Sequence, residues 1–160
     1  MYNTLPHARG IFAANEKSMK AKLNLYLTFD GNTEKAFELY RSVLGGEFTS
    51  LQRFGDTPHG EHMGETDKKK IMHLTLQMPN GTLLMGNDHL EGMGAPYVAG
   101  NNFSVSLHPE TVEESDRLFK GLSAGGQVLV PLDRVFWGAY FGMFVDRFGV
   151  KWIVNHEPKK

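Results

Sequence analysis

The sequence contains no cysteine among its 160 residues. This absence excludes disulfides, thiolate metal sites and thiol nucleophiles together. It is typical of a cytoplasmic protein, which is the location we expect. No apolar run approaches the length of a membrane span, so no membrane partner is expected. The formal net charge is only −1 at pH 7 and no basic stripe is present, so we expect no nucleic-acid partner.

The first eighteen residues lack the regular patterning of the rest of the chain. Their one apolar patch, residues 11–14, is too short for the apolar region of a signal peptide. The patterned sequence begins near Met19. We therefore treat residues 1–18 as an N-terminal arm or upstream extension outside the core fold.

The patterned part of the chain begins with a strand and a helix. Residues 23–29 (LNLYLTF) alternate strictly, which predicts a strand with Leu23, Leu25, Leu27 and Phe29 on one face. An apolar helical stripe follows from about Thr33. Gly45-Gly46 ends this helix as a C-cap. Three strands are then predicted over residues 47–54, 71–78 and 82–87, the last two joined by an Asn-Gly turn.

The second half of the chain repeats this pattern. Residues 102–107 (NFSVSL) alternate, with Phe103, Val105 and Leu107 on one face. A helix is predicted from Thr111, which is spaced from Glu114 as in a capping box, and a Gly-Gly pair again follows it. Strands are predicted over residues 127–134, 139–146 and 150–155. Both halves therefore have the order β-α-β-β-β.

This duplication predicts an α+β fold of two βαβββ modules forming a paired, cleft-enclosing mixed sheet. The predicted modules span residues 19–88 and 101–157, with a linker over residues 89–100, in one compact domain. Each helix is expected to cover the apolar face of its own sheet. The opposite faces would then line a shared cleft with Asn24, Tyr26, Thr28, Asn102, Ser104 and Ser106.

Four stretches carry a resemblance to a known superfamily. They are YLTFDGNTEKAFELYRSVLGGEF (residues 26–48), the Met72-His73 pair, LLMGND (residues 83–88) and FWGAYFGMFVDRFGVKWIVN (residues 136–155). With these stretches the chain resembles the vicinal oxygen chelate superfamily, which includes glyoxalase I and the bleomycin-resistance proteins. It resembles the PhnB-like group within that superfamily more closely. The resemblance implies the glyoxalase/bleomycin resistance fold and a homodimer.

The resemblance also implies where a divalent metal would be held in the catalytic members. Carried over to this sequence, the four ligand positions are Asn24, Met85, Asn102 and Ile153. None is the His, Asp or Glu that such a metal requires. We therefore expect no metal at the usual position and no other cofactor. A displaced site that uses His73 or Asp88 is the alternative.

The sequence favours a protein that binds a small molecule in the cleft without the usual metal. The expected ligand pocket consists of Asn24, Tyr26, His73, Met85, Asn87, Asn102, Ser104, Ile153 and Asn155. The alternative is a glyoxalase-type lyase, isomerase or thiol transferase that uses a displaced metal or His73, so the sequence leaves open whether the protein is an enzyme. Methyl transfer is not expected, because no Gly-rich loop follows a strand within a βαβ unit.

Several of these residues have a second interpretation. His73 is either an acid–base group or a strand-end histidine that fixes a loop. The four asparagines of the expected pocket either form a ring around a polar ligand or satisfy backbone groups.

Other residues and segments are expected to have structural roles. Trp137 and Tyr140 either stack on a planar ligand or pack in the core or a dimer interface, and packing is favoured. Asp88 and Asp146 are expected to cap turns. Residues 55–70 are predicted to form either a mobile surface loop or a lid over the cleft, and the loop is favoured.

Overall fold

A computed structural model describes residues 21–158 of the chain. The predicted N-terminal arm, residues 1–18, lies outside the described residues. The first module contains β1 Leu25–Phe29, α1 Thr33–Leu44, β2 Glu47–Arg53, α2 Glu65–Lys69, β3 Ile71–Gln77 and β4 Leu83–Asp88. The second module contains β5 Val105–Leu107, α3 Val112–Ser123, β6 Gln127–Arg134, β7 Tyr140–Val145 and β8 Lys151–His156.

The strands form two four-stranded sheets with the same topology. Their orders are β1-β4-β3-β2 and β5-β8-β7-β6. In each sheet the first strand runs parallel to the last, and the remaining pairs are antiparallel. The predicted α+β class and the duplicated βαβββ order are therefore confirmed.

One face of each sheet is covered by the helix of its own module. Helix α1 packs on β3 and β4, α3 packs on β6, β7 and β8, and the two helices contact each other. The approach of α1 is close at Gly86, where a Cβ atom would meet the Leu27 carbonyl and the Phe37 ring. These covered faces carry the apolar core, as their alternation predicts.

The two modules share that core through Tyr40 of α1. Its ring lies 5.3 Å from the Trp152 ring of β8, edge to face. Its hydroxyl donates a 2.7 Å hydrogen bond to the Asp146 carboxylate, which lies in the turn between β7 and β8. Both groups are buried, so the contact joins the halves inside the protein.

The first strand of each sheet begins later than predicted. Pairing of β1 with its parallel partner starts at Leu25 opposite Leu84, and the predicted core residue Leu23 is 87% exposed. Pairing of β5 starts at Val105 opposite Trp152, and Phe103 is 46% exposed. The assignment of Leu23 and Phe103 to the core is wrong, because neither has a partner strand to hold it there.

Residues 55–70, predicted to be a mobile surface loop, have local helical structure. They contain two 3-10 turns, Phe54–Asp56 and Gly60–His62, followed by α2. A Cβ atom on Gly60 would meet the backbone of Gly55, so the segment folds tightly on itself. Buried Phe54 anchors it to the rest of the module.

The predicted caps are confirmed. The Thr111 hydroxyl accepts a hydrogen bond from the Glu114 amide at the start of α3. Asp88 accepts hydrogen bonds from the amide and hydroxyl of Thr33 at the start of α1. Asp146 accepts hydrogen bonds from two amides of the β7–β8 turn. None of the helices in residues 21–158 is long and apolar enough to cross a bilayer.

Candidate functional site

The faces of the two sheets that the helices leave uncovered are the candidate binding surfaces. Side chains on these faces alternate with the core residues of β1, β3 and β4, and of β5, β7 and β8. On the first module they are Tyr26, Thr28, His73, Thr75, Met85 and Asn87. On the second they are Ser106, Phe141, Met143, Val145, Lys151, Ile153 and Asn155. We call these sets the first and second open faces.

The strand register decides which residues lie opposite each other on these faces. Tyr26 pairs with Met85 across β1 and β4, and Ser106 pairs with Ile153 across β5 and β8. Asn24 and Asn102, predicted to occupy the first-strand positions, precede β1 and β5 and are exposed. The side chains that lie next to each other on adjacent strands are therefore the Tyr26 phenol with the Met85 thioether, and the Ser106 hydroxyl with the aliphatic Ile153.

A hydrogen-bonded run of three side chains crosses the first open face. The Tyr26 hydroxyl lies 3.4 Å from His73 Nδ1, and His73 Nε2 lies 2.9 Å from the Thr75 hydroxyl. Partial burial raises the pKa of the Tyr26 hydroxyl, so the phenol stays protonated at neutral pH. Both imidazole nitrogens of His73 thus have a side-chain partner, and Thr75 is itself buried. Sequence reasoning found Tyr26 and His73 but missed Thr75, which lies two residues from His73 on the same face of β3.

The four predicted asparagines do not form one ring. Asn87 lies on the first open face, where its side-chain oxygen accepts a 2.9 Å hydrogen bond from the Thr28 hydroxyl. Asn155 lies on the second open face, and within residues 21–158 its Oδ1 atom is buried without a hydrogen-bond partner. Asn24 and Asn102 lie outside the strands. Only the two asparagines of β4 and β8 therefore remain as candidates for ligand contact.

The second open face carries a further polar pair at its edge. The Ser106 hydroxyl lies 3.0 Å from His108 Nε2, and both residues are exposed. His108 was not identified from the sequence, although its spacing of two residues from Ser106 places both on one side of the chain. Ser104, also predicted for the pocket, precedes β5 and is half-buried.

The aromatic residues of the β6–β7 turn lie at the surface. Phe136 is 97% and Trp137 57% exposed, so Trp137 does not pack in the core of the single chain, and its packing in a dimer interface stays a prediction. The Trp137 ring contacts Phe136 at 4.8 Å and Phe141 of the second open face at 5.9 Å. Tyr140 instead donates a hydrogen bond to Asp116 on α3.

A groove of about 340 Å³ runs beside β1, between the modules. Its walls are β1 from Tyr26 to Phe29, the linker over residues 95–100 and the β7–β8 turn over residues 148–150. Phe103, His89 and Tyr97 also line it, and the rings of His89 and Tyr97 are tilted by 35° with centroids 6.0 Å apart. We call this feature the linker groove. The sequence predicted the linker but not its contact with β1.

The donor atoms at the facing positions do not fit a divalent metal. Met85 and Ile153 offer no oxygen or nitrogen ligand, and Tyr26 and Ser106 offer only hydroxyls, whereas zinc, nickel and manganese sites use imidazole or carboxylate. Within residues 21–158 no three His, Asp or Glu side chains gather in a way that could hold a metal ion. Asp88, an alternative ligand, is buried and accepts hydrogen bonds from Thr33 and from the Ile71 amide.

Comparison with known proteins agrees with this architecture. Residues 22–154 match the Glyoxalase/Bleomycin resistance protein/Dioxygenase superfamily, and the chain belongs to this family. A crystal structure of protein PA1353 from Pseudomonas aeruginosa is 40% identical, with a TM-score of 0.77 over 87% of this chain and 99% of that one.

Two further relatives are similar over most of the chain, and one of them is described as a PhnB protein. A Bacillus cereus structure described as a putative 3-demethylubiquinone-9 3-methyltransferase, PhnB protein, is 26% identical, with a TM-score of 0.69 over 85% of this chain and 99% of that one. Protein YjdN of Escherichia coli (strain K12) is 28% identical over 141 residues, which cover 83% of this chain and 93% of YjdN.

Proposed function

We propose that this protein binds a small organic molecule between its modules, without the divalent metal of the catalytic family members. The observation that carries the proposal is the register: Tyr26 faces Met85, and Ser106 faces Ile153. At these positions the side chains can form hydrogen bonds and apolar contacts, but they supply neither imidazole nor carboxylate ligands for a divalent metal. Small-molecule sites in proteins consist mostly of such apolar and aromatic surface with a few polar groups.

The arrangement around His73 also supports binding without a metal. Its two ring nitrogens lie against the hydroxyls of Tyr26 and Thr75. A metal at either nitrogen would have to replace one of these contacts. It would also need further ligands, and neither hydroxyl is a favourable one.

We expect no stoichiometric metal on the purified protein. Elemental analysis after incubation with zinc, nickel or manganese and removal of excess ion should give well under one equivalent per chain, because the donor set is incomplete. Retention of one equivalent by the wild type, lost in His73→Gln but kept in His62→Gln, would show a displaced site at His73. His62 is a matched control because it is an exposed histidine of a 3-10 turn.

The second candidate function is acid–base catalysis, which the Tyr26–His73–Thr75 run favours. A histidine whose two ring nitrogens both lie against hydroxyls has the geometry of a general acid–base group. The same two variants separate this candidate from binding alone. Isomerisation of a hemithioacetal or addition of a thiol to an epoxide, present in the wild type and His62→Gln but absent in His73→Gln, would establish it.

We also propose that two copies associate through β6 and the β6–β7 turn. Strand β6 is the outermost strand of its sheet, and its Val128, Leu129 and Val130 are 48%, 44% and 37% exposed. Phe136 and Trp137, which are also exposed, lie in the β6–β7 turn that follows this strand. An outermost strand with exposed apolar side chains favours association with an identical strand across a twofold axis. A second copy of the chain would bury the apolar side chains of β6 and form hydrogen bonds with its free backbone groups.

Light scattering after size exclusion is expected to give a dimeric mass for the wild type and a monomeric mass for Leu129→Glu. The new carboxylates would lie at the interface and lose their hydration. Val98→Glu is the control, since Val98 is an exposed apolar residue of the linker, at 82%. A monomeric wild type, or a dimer that Leu129→Glu leaves intact, would contradict this interface.

A further inference from the structure

The linker groove has a chemical character that narrows the class of ligand. Aromatic residues contribute much of its lining: Tyr26, Phe29, Tyr97, Phe103 and Phe148. Its volume of about 340 Å³ lies near the lower end of pockets that hold drug-sized molecules, roughly 300–1,000 Å³. Its size and aromatic lining suit one compact, planar molecule better than an extended chain.

The groove carries no fixed charge. None of the described residues that line it is Asp, Glu, Lys or Arg, and its ionisable side chains are those of Tyr26, His89 and Tyr97. Partial burial raises the pKa of Tyr26, so that phenol is neutral at neutral pH. Two cations lie beside the groove, but the Arg147 guanidinium lies over the Phe148 ring and the Lys151 ammonium donates to the Asn101 carbonyl. None of the lining residues would offer an anionic ligand a guanidinium or ammonium group, or a cationic ligand a carboxylate. Transfer of an unpaired charge from water into such a site is unfavourable.

The first open face shares this absence of charge. Its six residues are hydroxyl, imidazole, amide and thioether side chains, and Tyr26 belongs both to this face and to the groove. Asp88, which pairs with Phe29 at the end of β4, is buried and accepts hydrogen bonds from Thr33 and from the Ile71 amide, so it does not belong to this face. Glu47 lies at the far end of the outermost strand β2, opposite Gln77. The neutral surface therefore extends from the linker across β1 and β4 to the middle of the sheet.

The hydrogen-bonding groups in the groove include both donors and acceptors. Strand β1 lies at the edge of its sheet and pairs only with β4, so alternate N–H and C=O groups of β1 point away from β4. The Tyr26 hydroxyl and the His89 ring add side-chain groups of either kind. A ligand with an amide or hydroxyl group can satisfy such a mixed set, whereas a carboxylate only accepts and an amidinium only donates.

We propose that the linker groove binds an uncharged, planar aromatic molecule with an amide- or hydroxyl-type hydrogen-bonding group. The proposal rests on the proposed small-molecule binding and goes further by assigning the charge, shape and location of the ligand. Tyr97 and Phe103 would contact the ring, and the edge of β1 would contact the polar group. Because Tyr26 also touches His73, the bound molecule would lie beside the hydrogen-bonded run of the first open face.

Three probes of one shape and different charge test this proposal. The probes are 2-naphthamide, 2-naphthoate and 2-naphthamidine, which carry charges of zero, minus one and plus one at neutral pH. Ligand-observed NMR titration of the full-length protein should show 2-naphthamide binding at least about tenfold more tightly than either charged probe, since only these must lose hydration without a counter-charge. Tyr97→Ala and Phe103→Ala should each weaken 2-naphthamide binding at least about fivefold, because each removes a stacking surface.

Leu51→Ala is the control variant, because Leu51 is a 42% exposed apolar residue on the outermost strand of the same sheet. It should leave binding unchanged.

Equal or tighter binding of a charged probe that still depends on Tyr97 would overturn the assignment of charge, while small-molecule binding itself would stand. Binding that responds to His73→Gln but not to Tyr97→Ala or Phe103→Ala would place the ligand elsewhere on the first open face and overturn the assignment of the groove. If none of the probes binds, the assigned ligand class is wrong; small-molecule binding would then be judged by a screen of other ligands against the wild type and His73→Gln.

Discussion

Replacement of Asp146 by alanine is expected to lower the free energy of unfolding by about 3–5 kcal/mol, since it leaves several buried donors without a partner. The carboxylate accepts hydrogen bonds from the Tyr40 hydroxyl and the Trp152 indole at one oxygen. Its other oxygen accepts from the amides of Phe148 and Val150. Burial, together with the neighbouring Asp146 carboxylate, raises the pKa of Tyr40, so this donor persists across the working pH range.

Urea denaturation at neutral pH measures this effect. Tyr40→Phe is the matched variant, because it removes one donor and keeps the ring in the core. It should lower the free energy of unfolding by about 1–2 kcal/mol. Glu38→Ala, which removes an exposed carboxylate from α1, should change the free energy of unfolding by less than about 0.5 kcal/mol. If Asp146→Ala were no more destabilising than Tyr40→Phe, the backbone and indole contacts would not contribute as inferred.

Replacement of Gly46 by alanine is expected to lower the free energy of unfolding by about 3 kcal/mol or more, since it adds backbone strain to a direct clash. Gly46 has φ of +96°, and a Cβ atom there would overlap the Gln77 carbonyl oxygen of β3. Gly126 is its counterpart in the second module, where a Cβ atom would overlap the Val145 carbonyl oxygen of β7. Each glycine directly precedes the first residue of an outermost strand, where that strand meets the end of its neighbour.

Thermal and urea unfolding of three alanine variants tests this pair. Gly126→Ala should be destabilising by about 2–3 kcal/mol through the clash. Gly64→Ala is the control, because nothing lies within 4 Å of its Cβ position and its φ is −65°. We expect that variant to be neutral or slightly stabilising, by up to about 1 kcal/mol. Similar stability of Gly46→Ala and Gly64→Ala would refute the close approach of β2 and β3.

The duplicated fold was predictable because its signals are local. Alternation around Leu27 and Val105, the helical stripe that contains Tyr40, and the Gly-Gly pair after each helix occur in both halves. Each follows from the geometry of one strand, one helix or one cap. The capping residues Thr111 and Asp146 were identified for the same reason.

The starts of β1 and β5 could not be read from alternation, because the pattern continues past the last residue that has a partner. Leu23 and Phe103 fit the apolar face of a strand, yet the parallel partners begin pairing only at Leu25 and Val105. The same limit affected the site. Strand face alone made Asn24 the residue to compare with Met85, whereas the register places Tyr26 there.

The linker groove was beyond sequence reasoning for a different reason. Its walls come from three separated parts of the chain: β1, the linker that contains Tyr97, and the turn at Gly149. Irregular segments such as residues 95–100 carry no periodicity that would indicate what they pack against. Their position depends on tertiary contacts, of which the hydrogen bond from the Lys151 ammonium to the Asn101 carbonyl is one.

The placement of the core on only one side of each strand has a consequence for how such a protein can change. Leu84 and Trp152 are 1% exposed and hold the scaffold, while their strand neighbours Met85 and Ile153 point away from it. Substitutions at the latter two positions therefore change the chemistry of the open faces with little loss of folding free energy. One duplicated scaffold can in this way evolve different surface chemistry on each of its two halves. In this chain the surface around His73 forms hydrogen bonds, and the surface around Phe141 is aromatic and aliphatic.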